Sequence, residues 1–247
     1  MADRLASGRC LLGVLTPSSN TALEPLTSQL LQQVDGVSAH FSRFSVTRIS
    51  LGEDELKQFD LEPILQAASL LADAKVDMIG WSGTAAGWMG FEQDQTLCQQ
   101  IEQRTGIPAT SSILALNQVL ARMAIKRIAI VSPYTSDVQQ KIIENYQSIG
   151  ISTVAERHLE ISDNFAFSEV SPECLRQAVS EVAEAAPDAI LLYCTNLRSA
   201  DQVDQWEAEL NIPIIDTTST VIWKMLESMN FDCAEVRGWG RFFQEAK

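Results

Sequence analysis

Cys194 is the residue of this sequence with the clearest potential for chemistry. It follows an apolar stretch, Ala189–Tyr193, which predicts a buried strand, and a helix is predicted to begin near Ser199. A thiol beside a helix N-terminus has a lowered pKa and can exchange a proton near neutral pH. The alternative is a structural role, because cysteine is among the residue types most often buried. The remaining cysteines are interpreted as structural: Cys10, Cys98, Cys174 and Cys233.

The position of Cys194 has a counterpart in the first half of the chain. The segment DMIGWSGTAAGW resembles AILLYCTNLRS, so that Gly83 and Thr84 match Cys194 and Thr195. Hydroxyl and backbone N–H groups of the two threonines can form a cradle for a carboxylate or an oxyanion. Taken alone, each threonine also fits an ordinary strand end or helix cap. The matched positions favour the functional interpretation.

Four further polar residues are candidates for carboxylate recognition. Asn20 and Tyr134 lie in two loops that contain a proline, and Asn164 lies in the segment EISDNFAF. Amide and phenol groups suit this task in a chain with few basic residues. Asn20 also fits a helix cap, and Asn164 fits a plain turn. Arg43 is a candidate carboxylate clamp, although most arginines lie at the surface.

Two tryptophans, Trp81 and Trp88, flank the small-residue segment SGTAAG. They can wall an apolar pocket or pack in the core. The segment lacks the lysine and the spacing of nucleotide phosphate-binding loops. A GxSxG segment with a histidine partner is also missing from the sequence, which disfavours a serine hydrolase.

The charge balance limits the kinds of ligand. The chain has 18 Lys and Arg against 32 Asp and Glu, a net charge of −14. A nucleic-acid partner is disfavoured, since binding it requires a basic face. The only histidines, His40 and His158, are far apart, and the five cysteines form no CxxC pair. Neither a metal site nor a disulfide framework is therefore expected.

No apolar run of the sequence approaches the roughly 20 residues of a membrane span. The stretch Leu11–Leu15 is too short for the core of a signal peptide and runs into Pro17. We expect a short tail before a first buried strand, a cytoplasmic protein and no membrane partner. The sequence leaves the oligomeric state open, a homo-oligomer included.

Short apolar runs alternate with stretches of helical period, which is typical of a parallel α/β sheet. Buried strands are predicted at Leu11–Leu15, Met78–Trp81, Arg127–Val131 and Ala189–Tyr193. Two more pairs of segments repeat, with Pro17 matching Pro133 and Pro108 matching Pro213. We infer two similar α/β lobes related by a pseudo-two-fold axis: residues 8–122 with 223–247, and residues 123–222.

The repeat predicts where a site lies. In open parallel sheets, ligands bind beyond the carboxyl ends of the strands. Four loops follow the matched strands: 17–20, 82–87, 133–136 and 194–197. If the lobes face each other, these loops line one cleft, and Gly83 and Cys194 oppose each other across it.

These residues together resemble the Asp/Glu racemase superfamily, specifically its maleate isomerase and arylmalonate decarboxylase branch. The segments PSSNT, CTN at Cys194 and SDN at Asn164 are similar to maleate isomerase. The segments SGT, at Gly83 and Thr84, and RGWGRFF, near the end, are similar to arylmalonate decarboxylase. The resemblance covers nearly the whole chain and implies two Rossmann-like lobes with parallel sheets and an active site in the cleft between them.

The resemblance also implies an activity that needs no cofactor. Racemases and isomerases of the superfamily use one cysteine from each lobe, whereas Gly83 stands at the first position here. A racemase needs two acid/base groups. The decarboxylases resemble this chain in having glycine there and a single cysteine. The expected activity is therefore decarboxylation of a malonate-like acid through an enediolate that Cys194 protonates.

Under this expectation, Thr84, Tyr134 and the backbone N–H of Thr195 form the cradle for the retained carboxylate. Ala85 stands where the decarboxylase has a hydroxyl-bearing cradle residue. Asn20 and Asn164 resemble carboxylate binders of the isomerase. A maleate-isomerase-like or racemase-like enzyme therefore stays an alternative, as does a non-catalytic protein that binds a mono- or dicarboxylate.

Overall fold

The computed structural model describes residues 8–246, and the predicted N-terminal tail falls largely outside them. Within these residues the chain forms two four-stranded parallel sheets, each flanked by helices. The first sheet contains β1 (Cys10–Pro17), β2 (Val37–Phe44), β3 (Met78–Trp81) and β4 (Ala109–Ser111) in the order β2-β1-β3-β4. The second contains β5 (Arg127–Ser132), β6 (Ser152–His158), β7 (Ala189–Leu192) and β8 (Ile214–Asp216) in the order β6-β5-β7-β8.

The helices follow the strands in alternation along the chain. Those of the first half are α1 (Leu23–Leu31), α2 (Glu53–Leu56), α3 (Leu61–Asp73), α4 (Ala86–Met89), α5 (Phe91–Thr105) and α6 (Ser112–Arg122). Those of the second half are α7 (Ser136–Ser148), α8 (Asn164–Phe167), α9 (Pro172–Ala183), α10 (Val203–Leu210), α11 (Thr217–Ser228) and α12 (Phe242–Glu245). Single 3₁₀ turns lie at Lys57–Phe59, Ala200–Gln202 and Cys233–Glu235.

The α/β fold predicted from the sequence is confirmed. Each sheet has the same strand order, and its two central strands are those that the sequence predicted. The central strands are buried almost throughout, so they read as continuous apolar runs. Gly83 and Cys194 occupy equivalent places, because each lies two residues beyond the end of its strand, β3 or β7.

The last long helix, α11, connects the two sheets physically. It follows β8 directly, yet it packs along α6 and also contacts β3 and β4 of the first sheet. Trp223 on α11 is buried, as are Val221 and Met225, which press against the Gly80 backbone. The two halves thus share one hydrophobic core. The lobe boundaries at 122/123 and 222/223 stay a prediction.

Within residues 8–246, no helix combines the length and the apolar character that a bilayer crossing requires.

Candidate active site

A small cavity lies between the two sheets, where their central strands end. It is lined by Pro17, Val46, Ile49, Phe59, Trp81, Gly83, Thr84, Ala85, Trp88, Tyr134, Asn164, Cys194 and Thr195. Its volume of about 20 Å³ leaves room for about one water molecule. The structure therefore brings together six of the seven site residues that the sequence suggested, and both Gly83 and Cys194 line this one cavity.

Cys194 is buried, with 3% of its surface exposed. Its sulfur accepts a hydrogen bond from the backbone N–H of Asn196 at 3.4 Å. Burial raises the pKa of the Cys194 thiol to about 12; hydrogen bonds from Asn196, Tyr134 and Leu197 oppose this effect, and the carboxylate of Asp216 adds to it. At neutral pH the group is a protonated thiol, which suits a proton donor.

The lowered thiol pKa that the sequence predicted is therefore wrong. The physical reason is local. A turn follows Cys194, then the single 3₁₀ turn at Ala200–Gln202, and the regular helix α10 begins only at Val203. The dipole of a helix acts within about one turn of its end, so α10 does not offset the cost of burying a thiolate.

Tyr134 links Thr84 to the thiol. The hydroxyl oxygens of Thr84 and Tyr134 lie 2.6 Å apart, and Tyr134 also hydrogen-bonds the Cys194 sulfur. Burial raises the pKa of Tyr134 well above its usual value, so the phenol stays protonated. Donation from Thr84 to Tyr134, and from Tyr134 to sulfur, leaves the thiol proton of Cys194 free for a bound ligand. The Tyr134 ring is held edge-on by Trp88 and Phe167.

Five cavity-lining residues have backbone N–H groups that donate to no acceptor among residues 8–246. They are Gly83, Thr84, Ala85, Cys194 and Thr195. By contrast, the Thr195 hydroxyl is occupied, because it donates to the Ser82 carbonyl at 3.3 Å and accepts from the Asn20 amide. Buried N–H groups without acceptors are rare, and several around one cavity form a site for an oxyanion.

Asn20 does not line the cavity, and its amide is fully engaged by the protein. Its Oδ1 accepts from the N–H groups of Ala22 and Leu23 at 3.1 and 2.9 Å, which caps α1. Its Nδ2 donates to the Thr195 carbonyl at 3.1 Å. The helix-cap interpretation therefore describes Asn20, which also holds Thr195 from the opposite half of the chain.

Asn164 reaches the cavity as predicted. Its Nδ2 donates to the Ser19 hydroxyl at 2.8 Å, and its carbonyl accepts from the side chain of Asn196. Asn196 was missed by the sequence interpretation. Its Oδ1 accepts from the backbone N–H of Thr21 at 3.0 Å, so it joins the loop after Cys194 to the start of α1. The polar segment CTN was the available signal.

Arg43 does not reach the cavity. Its guanidinium bonds the Glu24 carboxylate and donates to the carbonyls of Ser18 and Asn20 at 2.8 and 2.9 Å. It therefore supports the loop after β1. Trp81 and Trp88, in contrast, both line the cavity.

The Trp81 ring fills the space beside Gly83. A Cβ atom at Gly83 would lie 2.1 Å from the indole, far inside contact distance. The indole itself packs against the Phe44 ring, with 5.0 Å between the ring centroids. A cysteine at this position therefore has no room while Trp81 keeps its conformation.

Segment 45–60 of the first half covers the cavity and is hydrogen-bonded to the second half. Val46, Ile49 and Phe59 form part of the cavity lining. The N–H of Ile49 donates to the Ser162 carbonyl, and the N–H of Asn164 donates to the Thr47 carbonyl. This antiparallel pairing holds the segment down, so a ligand larger than water requires the segment to move.

A family model described as arylmalonate decarboxylase matches residues 13–243 of the chain. The chain belongs to the arylmalonate decarboxylase family. This confirms the resemblance inferred from the motifs. Among its relatives, a maleate isomerase of Pseudomonas putida KT2440 is 27% identical over 231 residues, covering 90% of this chain and 92% of the relative. An arylmalonate decarboxylase of Bordetella bronchiseptica is 23% identical over 208 residues, covering 82% and 87%.

A solved structure of a similar protein shares the fold. A maleate isomerase from Pseudomonas putida S16, solved with maleate, superposes with a TM-score of 0.88 at 25% identity. The match covers 96% of this chain and 98% of that one. Family membership thus indicates an enzyme, and the relatives carry two different activities in their names.

Proposed function

We propose that this protein is a decarboxylase of a malonate-like dicarboxylic acid, with Cys194 as its single proton donor. The observation that carries the proposal is the asymmetry of the cavity. The cavity holds a protonated thiol at Cys194, and the matched position in the first half of the chain is Gly83, where Trp81 leaves no space for a side chain. One acid group suffices to protonate a carbon, whereas racemisation needs two acid/base groups.

The cavity wall suits the loss of a carboxylate. Much of the lining is apolar, and no lysine, arginine or histidine within residues 8–246 contributes to it. A carboxylate held against such a wall is destabilised relative to neutral carbon dioxide. The free N–H groups of Thr84, Ala85 and Thr195 stabilise the charge that gathers on the other carboxylate, while the Tyr134 hydroxyl donates to the Cys194 sulfur.

The proposed reaction has two steps. The carbon–carbon bond to the leaving carboxylate breaks, carbon dioxide departs, and the electron pair forms an enediolate with the retained carboxylate. The enediolate carbon then takes the proton of the Cys194 thiol. The thiolate regains a proton from water, which its high pKa favours. No net redox change occurs, and no co-reactant other than water is needed.

The test is an incubation with substituted malonates, maleate and amino dicarboxylates in D₂O, followed by NMR. The proposal requires loss of one carboxyl group and incorporation of one deuterium in the product. Unchanged substrate that exchanges its α-hydrogen, or maleate converted to fumarate without loss of carbon dioxide, contradicts it.

A second candidate is a maleate isomerase-like activity. Identity is higher to the maleate isomerase relative, 27%, than to the decarboxylase, 23%, and Asn164 adds a polar amide to the cavity wall. Rotation about a carbon–carbon double bond by this route needs a nucleophile besides the acid. Gly83 supplies none, and the Thr84 hydroxyl at the cavity is bonded to Tyr134. Decarboxylation therefore fits the geometry better.

A non-catalytic carboxylate-binding protein is the third candidate. It predicts saturable binding of mono- or dicarboxylates with no conversion of any member of the same panel. Calorimetry with the same compounds separates this outcome from an enzyme whose substrate is not in the panel. Such an enzyme should bind the compounds of the panel only weakly.

A further inference from the structure

A second cavity adjoins the one at Cys194. It has a volume of about 150 Å³ and lies between α3, α4 and α5. Its lining consists of Phe59, Leu61, Ile64, Trp81, Ala85, Ala86, Met89, Gln93, Asp94, Thr96 and Leu97. We call it the side cavity. Phe59, Trp81 and Ala85 line both cavities, so a single layer of side chains separates them.

Asp94 is the one ionisable group on the wall of the side cavity among residues 8–246. It is 3% exposed, and its Oδ2 has no hydrogen-bond partner within those residues. The Ser111 hydroxyl bonds the carboxyl group, and burial raises the pKa of Asp94 to about 7. A buried carboxyl oxygen without a partner is costly, so it indicates a ligand that the protein is built to meet.

We propose that the side cavity is the subsite for an arm of the substrate that ends in an ammonium group, which Asp94 binds. The inference rests on the proposed decarboxylase function and specifies its substrate class: malonates with an amino-alkyl substituent. The arm enters past Ala85, the smallest of the three side chains that the two cavities share.

The size and charge of the side cavity select this class. A cavity of about 150 Å³ accepts a group of about benzene's size, or an aliphatic chain of five or six heavy atoms. Most of the residues that line the side cavity are apolar, which suits the methylene groups of the arm. No basic side chain lines it within the described residues, so it disfavours an anionic end and favours a cationic one.

The experiment compares two substrates of equal shape, 2-(4-aminobutyl)malonate and 2-pentylmalonate. Each arm has five heavy atoms, and they differ in ending with an ammonium or a methyl group. We expect wild type to favour the amine in kcat/KM, and Asp94→Asn to reduce this preference by about 10- to 100-fold. The asparagine still accepts a hydrogen bond from Ser111. A merely structural Asp94 would change both substrates equally and leave the ratio unaltered, which overturns the proposal.

A substitution that fills the side cavity tests the proposal a second time and leaves the Asp94 carboxyl group unchanged. Leu97 lines the side cavity and not the catalytic one. Leu97→Phe is expected to raise KM for both long-armed malonates while leaving 2-methylmalonate turnover unchanged. Equal effects on all three substrates, or none, contradict an arm in this cavity.

If no malonate is decarboxylated, the proposed function fails, but the subsite can still be tested. Calorimetry then measures the binding of n-butylamine to the side cavity. Binding should be about 10-fold tighter at pH 8 than at pH 6, because Asp94 ionises between these values while an alkylamine stays protonated. The titratable groups facing Asp94 are Cys98 and Tyr193, both with raised pKa values, so they stay neutral. Binding of n-butylamine that Asp94→Asn leaves unweakened, or no binding, overturns the subsite.

Discussion

Thr84 and Tyr134 follow strands of different sheets, yet their hydroxyl oxygens meet at 2.6 Å inside the cavity. The contact joins the two halves of the chain at the place where Tyr134 also bonds the Cys194 sulfur. It ties the position of the proton donor to that of the cradle. Loss of either hydroxyl should therefore affect catalysis more than stability.

Tyr134→Phe is expected to lower kcat by about 100-fold, since it removes the hydroxyl that donates to the Cys194 sulfur and stabilises the thiolate formed by proton transfer. Stability should fall by only about 1 kcal/mol, because phenylalanine preserves the packing against Trp88 and Phe167 and leaves one hydroxyl, that of Thr84, without its partner. Turnover kinetics and urea unfolding measure the two effects. The double variant with Thr84→Val should lose less than the sum of the single losses. Strict additivity would show that the two hydroxyls act independently.

Cys194→Ala is expected to reduce turnover by about 10²- to 10⁴-fold, the usual contribution of a positioned general acid. The fold should persist, with a melting temperature lowered by a few degrees at most. Carbon dioxide release and thermal unfolding provide the measurements. Cys174→Ala is the matched control, because Cys174 is exposed and lies outside the cavity. Full activity in Cys194→Ala would remove the thiol from the mechanism.

Gly83→Ala is expected to destabilise the protein by about 1–3 kcal/mol, because the new methyl group overlaps the Trp81 indole. Trp81→Phe shrinks the ring and should relieve part of this cost. The double variant is then more stable than the sum of the single effects predicts, as measured by urea unfolding. A Gly83→Ala protein as stable as wild type would show that the Trp81 ring moves aside freely.

Asp94→Asn is expected to stabilise the protein at pH 8. The folded-state pKa of Asp94, about 7, lies above its ordinary value of 3.8, so the folded state favours the protonated acid. The contribution of the protonated Asp94 to the free energy of unfolding is complete below pH 3.8 and is lost as the pH rises to 7. Asparagine stays neutral throughout this range. The advantage of Asp94→Asn should therefore grow between pH 5.5 and pH 8, towards at most about 4 kcal/mol.

Urea unfolding at both pH values checks this, with the exposed Asp35→Asn as control. A constant difference between Asp94→Asn and wild type would mean that Asp94 is ionised in the folded protein over the whole range.

Residue types and local pattern were enough to predict the central strands and the position of Cys194. Buried strands leave continuous apolar runs, and a polar segment directly after such a run marks the end of a strand. The edge strands were missed for the converse reason. β2 and β6 are half-exposed along most of their length, and β4 and β8 have only three residues each.

Side-chain contacts between distant segments could not be predicted. Asp94 lies in the polar segment FEQDQTLCQQ, which is typical of an exposed helix, and its burial arises only when α5 packs beside α6 and α3. The capping role of Asn20 was an alternative from the start, but its bond to Thr195 spans 175 residues. The thiol pKa was predicted in the wrong direction because burial, a tertiary property, outweighs the local dipole.

The placement of one thiol in a duplicated fold bears on stereochemistry. Both halves offer the same strand-end position at one cavity, yet only the second half carries sulfur there, at Cys194, while the first half has Gly83. A planar enediolate held between the halves then meets a proton on one face alone. Under the proposed reaction, a malonate with two different substituents should yield a single enantiomer. Its handedness is set by the half of the fold that carries the cysteine.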